Sequence, residues 1–301
     1  MDKIKTSFSI ADLENLSGIS SDTIRKWESR YELLRPGRTR SNIRRYDLHN
    51  LKKLLAVSFL SRNGYKISEL ASFTEKQLNT GVNELLSSNV DFGHHIHSLM
   101  VAMISFDRHL FEETYNRLLV TMSFSDLFIK VISPFLQDIG TLWQSSSITP
   151  AHEHFISNLV RQKLLINIER LTYREVSNKD TFVLFLPLNE IHELGLLFLH
   201  FTLLLNGRNS IYLGAGLETM DLTDIRKNFP GRLTFITNMT VNPEKQKLSS
   251  YLEHFRKTVL GKNDQVWVTG SKVKEAGPMK SAQVLLFRDG KELTDHLTKH
   301  S

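Results

Sequence analysis

The residues of this 301-residue sequence best suited to chemistry are a carboxylate and a histidine in Glu190-x-His192, followed by Gly195. They stand where the apolar run Phe182-Val183-Leu184-Phe185-Leu186 breaks at Pro187, and apolar residues resume from Leu196 to Leu205. The pattern predicts a buried strand, a ligand-facing loop and a helix. In an open parallel sheet the loops at the carboxyl ends of strands face the binding crevice, so an imidazole there is placed to touch a ligand. Position alone leaves a second role open, that of a loop histidine capping the following helix.

A further set lies upstream: Trp143, nine residues, then Glu153-His154. Ser147-Ile148-Thr149-Pro150 supplies a cap and a proline at the first helical position, so Trp143 ends one helix and Glu153-His154 begin the next. These three side chains are expected to meet at one end of a helical bundle, where their donors and acceptors need partners. His94, His95 and His97 alternate around a helix start, and His152 and His154 are two apart, so neither group is spaced to share a metal ion.

The third set is basic. Between Arg25 and Arg45 eight Lys and Arg residues face only Glu28 and Glu32. Residues 1 to 80 carry 15 Lys and Arg against 9 Asp and Glu, and the remainder carries 23 against 23, so the whole net charge of +6 sits at the front. That is the electrostatic footprint of a polyanion partner. Zero cysteines exclude disulfides, zinc-thiolate sites, iron-sulfur clusters and thiol catalysis, leaving histidine, carboxylate or a bound cofactor for any metal chemistry. No stretch approaches the ~18 to 20 apolar residues of a membrane span, and Met1-Asp2-Lys3-Ile4-Lys5-Thr6 lacks the apolar core of a secretion signal. The expectation is a soluble, cytoplasmic protein with no membrane partner.

The elements that must position these residues form three domains, a multidomain α and α/β chain. Over residues 1–80, Ile10 to Gly18, a short Ile19-Ser20-Ser21 turn and Asp22 to Tyr31 spell helix-turn-helix, with Ile24 and Trp27 facing inward. Thr23, Arg25, Lys26 and Arg30 then remain for a DNA groove and its phosphates. Pro36 to Tyr46 reads as a basic wing presenting Arg38, Arg40, Arg44, Arg45 and Tyr46. Over residues 81–177, Asn89–Ser105, Asp107–Val120, Ser125–Trp143 and Ala151–Tyr173 carry helical periodicity, predicting a four-helix bundle. Over residues 178–301, strand-like and helix-like segments alternate, predicting a five-stranded parallel sheet with strands at Phe182–Leu186, Ser210–Leu213, Leu233–Thr237, Gln265–Val268 and Gln283–Arg288. Gly214, Gly216 and Gly270, expected just after strands, would let backbone approach a ligand.

Phe8-Ser9-Ile10, Thr23 to Glu28, Pro36-Gly37-Arg38-Thr39 and Arg44-Arg45-Tyr46 resemble the winged helix-turn-helix of MerR-family regulators, with Leu48 to Ala71 in the place of that module's second helical pair. The resemblance implies a double-stranded DNA operator read by paired modules, hence a homo-oligomer (dimer or tetramer). No long heptad helix of the common MerR dimerisation type follows. Glu190-x-His192-x-x-Gly195 resembles the Asp/Glu-x-His-x-x-Gly signature of cobalamin-binding, flavodoxin-like domains, with Thr237-Asn238-Met239 in the place of Ser-x-Leu and Gly270-Ser271 near Gly-Gly. Trp143-x9-Glu153-His154 resembles the motif that covers the upper face of adenosylcobalamin.

The order of the three parts resembles the CarH/LitR-type light-responsive repressors. This implies a DNA-binding transcriptional repressor rather than an enzyme, with adenosylcobalamin as cofactor and with light as a release signal. His192 would ligate cobalt, Glu190 would accept its other ring N–H, and Trp143, Glu153 and His154 would contact the adenosyl group. Ser271 and Gln144 depart from the pattern, the latter standing where some light-sensing members have a histidine. They motivate a second reading, a regulator whose former cofactor domain serves only protein contacts. A corrinoid methyl carrier is the third, and it leaves the basic front end unexplained.

Overall fold

A computed structural model describes residues 5–88, 93–171, 180–229, 231–243, 246–277, 279 and 281–299. The chain divides into two compact units, Met1–Asn158 and Leu159–Ser301.

The first unit begins with β1 (Ser7–Phe8), α1 (Ile10–Ser17) and α2 (Ser21–Tyr31). Ser9 and Asp12 close a reciprocal capping box that starts α1, and Gly18 at φ 67° ends it in the left-handed conformation glycine favours. A hairpin of β2 (Gly37–Arg38) and β3 (Arg44–Asp47) follows, and β3 pairs antiparallel with both β1 and β2. Helices α3 (Leu48–Arg62), α4 (Ile67–Leu70) and α5 (Glu75–Ser88) complete this part. The expected domain boundary between residues 80 and 81 therefore falls inside α5, a helix that the sequence reading did not include. The expected boundary between 177 and 178 lies outside the described residues, as do Asn89 and Tyr173, the predicted ends of two helices.

The four helices expected from periodicity are α6 (Gly93–Ile104), α7 (Arg108–Thr121), a long helix after Ser123 and α10 (Pro150–Glu169), the last of which passes from the first unit into the second. The long helix has three parts: α8 (Phe124–Leu127), a π-helical turn over Phe128–Ile132, and α9 (Ser133–Gln144). Pro134 lies just inside α9 and has no N–H to donate, and the wider π-helical turn stands directly before it.

The second unit holds β4 (Thr181–Pro187), α11 (Leu194–Leu205), β5 (Asn209–Leu217), α12 (Thr219–Asn228), β6 (Leu233–Asn238), α13 (Leu248–Thr258), β7 (Gln265–Thr269), α14 (Val273–Ala276), β8 (Val284–Leu286) and α15 (Gly290–Lys299). All five strands are parallel, in the order β5-β4-β6-β7-β8. Every residue of β4 is buried, as a central parallel strand covered on both faces must be. Val183 and Phe185 pack with Phe235, Tyr251 and Phe255 on one face, while Phe182, Leu184 and Leu186 pack with Leu196, Leu199 and Trp267 on the other. Strand β5 runs past its predicted end at Leu213: Gly214 and Gly216, at φ 80° and 84°, lie inside it where the register to β4 slips. These glycines form a bulge within the strand rather than a loop after it.

Candidate functional site

The strand order reverses between β4 and β6, so the loops after these two strands border one crevice. Asn189 takes a left-handed φ of 71°, and the Glu190 amide donates to Pro187 O at 3.1 Å, folding the chain back as β4 ends. The turn drives Glu190 inward to 1% exposure and leaves His192 outside, its side chain 60% exposed. The amides of Ile191 and His192 both donate to Glu190 Oε1 at 3.0 Å. From the loop after β6, the amides of Thr240 and Val241 donate to Oε2 at 2.5 and 3.1 Å, and the Thr240 hydroxyl lies 2.8 Å from the same oxygen. Burial by itself would raise this carboxyl, but the bonds from His192 and Thr240 outweigh it and hold Glu190 at about 2.

That ionised carboxylate can only accept, and His192 Nδ1 stands 2.6 Å from its Oε1. Nδ1 therefore carries the proton, and Nε2 is the ring nitrogen with the lone pair that ligates a metal. Thr240 Oγ1, 2.8 Å from Nδ1, and Asn238, whose Nδ2 donates to His192 O at 3.4 Å, brace the ring and its backbone. Thr240 is the residue the sequence reading missed. A hydroxyl 48 positions from His192 carries no local signal, and only the pairing of β4 with β6 brings it in.

The surroundings suit a large ligand with polar edges. A Cβ built at Gly195 meets nothing within 4 Å, so the start of α11 is open on that side. Thr237, at the end of β6, is fully buried, and its Oγ1 has no partner among the described residues; Thr269 Oγ1, at the end of β7, is in the same condition. Gly270 has φ 111°, and a Cβ there would lie 2.3 Å from Met239 O, so only glycine lets these two loops close together. Ser271 is exposed, with its Oγ 3.5 Å from Thr240 O. Glu193, next to this loop, pairs with Arg161 and accepts from the Tyr212 hydroxyl at 2.8 Å.

In the first unit, Trp143 closes α9 with 48% of its surface exposed, a large indole that its own helices do not cover. Glu153 and His154, in the first turn of α10, pair with one another, and Ser157 Oγ donates to Glu153 Oε1 at 2.5 Å. Their neighbour His152 is buried and stacked on Phe106, and its Nδ1 accepts from the Thr149 amide at 3.2 Å. His152 thereby takes the part a glutamate plays in a capping box and sets where α10 begins. His95 is buried, His97 stacks on Phe59, and the side chain of His94 lies outside the described residues. No grouping of three metal-ligating side chains occurs among the described residues.

On the basic surface, Arg25, Lys26, Arg30, Arg38, Arg40 and Arg45 are exposed, while Thr23 and Arg44 are half-buried. Arg25 pairs with Asp22, Thr23 Oγ1 is 2.9 Å from Ser20 Oγ, Arg30 lies over the Tyr31 ring, and Arg38 donates to Asn42. Tyr46, expected at the DNA face, is fully buried instead. It pairs across the small sheet with buried Phe8, and its hydroxyl donates to Glu28 Oε2 at 2.9 Å. Burial first, then that bond, push its phenol well above the usual range. Arg44 donates to the other oxygen of Glu28 at 2.9 Å, so Glu28 locks the wing onto α2. Trp27, expected as core, is half-buried, while Leu13 of α1, Ile24 of α2 and Leu51 of α3 are fully buried.

Residues 8–77 match the family described as MerR HTH family regulatory protein, and residues 95–166 match the family described as B12 binding domain. Among curated proteins, the HTH-type transcriptional repressor CarH of Myxococcus xanthus is 29% identical over 189 residues, an alignment covering 60% of this chain and 62% of that one. The chain thus matches under two thirds of that relative's length. Among solved structures, the monomethylamine corrinoid protein of Methanosarcina barkeri superposes with a TM-score of 0.51 at 12% identity, covering 70% of this chain and 96% of that chain. At such identity the likeness is one of fold, helices followed by a parallel α/β sheet. No helix among the described residues is long and apolar enough to cross a membrane.

Proposed function

We propose that this chain, which joins a MerR-type helix-turn-helix to a B12-binding domain, is a transcriptional repressor whose hold on operator DNA depends on bound adenosylcobalamin and is released by light. The observation that carries the cofactor half is the Glu190–His192–Thr240 cluster. A buried carboxylate that accepts from four amides and a hydroxyl, and is held near 2 by its bonds from His192 and Thr240, fixes the imidazole tautomer and makes Nε2 a stronger donor. His192 would hold cobalt from one side, and the open flank at Gly195, the unpartnered Thr237 Oγ1 and Gly270 would receive the rest of the ligand.

Trp143, Glu153 and His154 are proposed as contacts to the adenosyl group, since an exposed indole offers a stacking face and a paired carboxylate and imidazole offer polar edges. Adenosylcobalamin supplies a light-labile cobalt–carbon bond. Exposed Arg38, Arg40 and Arg45 would neutralise operator phosphates, while Thr23, Arg25, Lys26 and Arg30 on or beside α2 would enter the groove. Two half-sites would require a homo-oligomer, a dimer or a tetramer.

The test is a gel-shift titration and a size-exclusion profile with adenosylcobalamin, in the dark and after green light. Binding and assembly that appear only with the cofactor in the dark support the proposal, and insensitivity to both cofactor and light rejects it. Likeness to a methanogen corrinoid protein favours a second reading, a corrinoid methyl carrier. Methyl transfer from the loaded protein, with no DNA binding, would establish that instead.

A further inference from the structure

The loop between α9 and α10 joins Trp143 to Glu153 and His154, and of its three serines Ser145 and Ser146 are exposed while Ser147 turns inward. Ser147 is fully buried, and its Oγ accepts from Asn15 Nδ2 at 3.0 Å while lying 2.9 Å from Ser145 Oγ. Asn15 is in the last turn of α1, the first helix of the helix-turn-helix. Lys5, just before that helix, donates 2.8 Å to Ser146 O and 2.7 Å to Asp12 Oδ1, and its side chain is only 21% exposed. Ser146 holds a left-handed φ of 55°, a conformation that a serine keeps only where its surroundings impose it.

Each end of this contact continues into a functional element. The Ser146 amide donates to Trp143 O at 3.0 Å, and the Ser147 amide donates to Leu142 O at 3.0 Å, so the loop is fastened to the turn that carries the indole. On the other side, Asp12 completes the capping box of α1. Glu14, between Asp12 and Asn15, accepts from the Ser21 hydroxyl at 2.5 Å and the Ser21 amide at 3.2 Å, which ties α1 to the first residue of α2. Hydrogen bonds from the loop to Asp12 and Asn15, the backbone of α1 between them, and the bonds of Glu14 to Ser21 therefore connect the Trp143 backbone to the start of the recognition helix, all within the unit Met1–Asn158.

We infer that this tie is the path by which adenosylcobalamin controls DNA binding, with Lys5, Asn15 and Ser147 as positioning residues that touch neither ligand. The inference rests on the cobalamin-dependent reading above and names how that dependence is transmitted. A ligand that shifts the end of α9 or the start of α10 must either carry α1 with it or break these bonds. By linkage, the cofactor then changes the affinity for DNA by the same factor as DNA changes the affinity for the cofactor. A two-site measurement on variants of the tie reads that coupling directly.

The test compares full-length wild type, Asn15→Ala, Ser147→Ala and the double variant in the dark. Readouts are corrinoid retained after gel filtration, thermal melting, and affinity for a fluorescent duplex selected from a random-sequence pool by the full chain, with and without adenosylcobalamin. In the single variants, corrinoid retention and folding stay as in wild type and cofactor-free DNA affinity stays within about twofold, while the affinity gain from cofactor falls about fivefold or more. The double variant falls no further than either single one, because both remove the same bond. A gain equal to that of wild type overturns the inference, as does a gain lost only together with the corrinoid. If wild type itself retains no corrinoid or gains nothing from it, the functional reading fails and the inference with it; if wild type gains and the variants gain equally, the inference alone fails.

Discussion

Glu190 and His192 show how one ionised side chain decides what its neighbour can do. A carboxylate at 1% exposure is costly to bury, and here four amides and a threonine hydroxyl repay that cost, leaving His192 in a single tautomer. Replacing Glu190 by Gln keeps the shape and removes the charge. Glu190→Gln is expected to lower cobalamin affinity about 10- to 100-fold, read by equilibrium absorbance titration. The same group makes a prediction for stability against pH. Its folded-state carboxyl lies near 2 against an ordinary 4.5, so its contribution is complete above 4.5 and is lost as pH falls through about 2. That contribution is on the order of 3 kcal/mol, and chemical-denaturation midpoints between about pH 6 and pH 3 should fall more steeply in wild type than in Glu190→Gln. Parallel curves would contradict this assignment of the buried charge.

At the scale of elements, the turn after β7 is closed by a glycine with no substitute. Gly270→Ala places a Cβ against Met239 O in a left-handed backbone, and a loss of about 2 kcal/mol or more is expected in thermal melts, with reduced cobalamin uptake. The wing offers a sharper division of roles. Arg45→Ala should weaken DNA binding and reduce the slope of log affinity against log salt by about 1. Tyr46→Phe should leave that slope unchanged and cost about 1 to 2 kcal/mol of stability, because Glu28 loses a donor in a buried position.

Much of this level was legible in advance. The apolar runs marked all five parallel strands, and the cap-proline signal at Thr149-Pro150 located the start of α10. Tyr46 was misplaced because it ends a basic run. The alternation of exposed Arg45, buried Tyr46 and exposed Asp47 is the two-residue period of a strand and held the correct answer. Thr240 and the serine tie were illegible for another reason: long-range hydrogen bonds between polar side chains leave no periodic trace, and only tertiary structure brings Asn15 to Ser147. Gly214 and Gly216 showed that backbone freedom was needed but not whether a loop or a bulge would use it.

For the whole molecule, charge and architecture divide the work. The net positive charge lies entirely within the first 80 residues, and the parallel sheet with its histidine loop lies within the second compact unit. DNA affinity of the full chain should therefore fall steeply with salt while corrinoid retention does not, since the cofactor site rests on coordination and on contacts far less sensitive to ionic strength. A salt-independent DNA affinity would remove Arg38, Arg40 and Arg45 from the interface. The central claim, that His192 binds the cobalt of a corrinoid, is tested most directly by one absorbance measurement. Full-length protein and His192→Ala are each mixed with adenosylcobalamin in the dark, passed through gel filtration, and their visible spectra recorded. The account predicts that wild type keeps the corrinoid with a spectrum displaced from that of the free cofactor, and that His192→Ala loses it or shows the free spectrum. A colourless wild type, or identical corrinoid spectra in the two proteins, would contradict it.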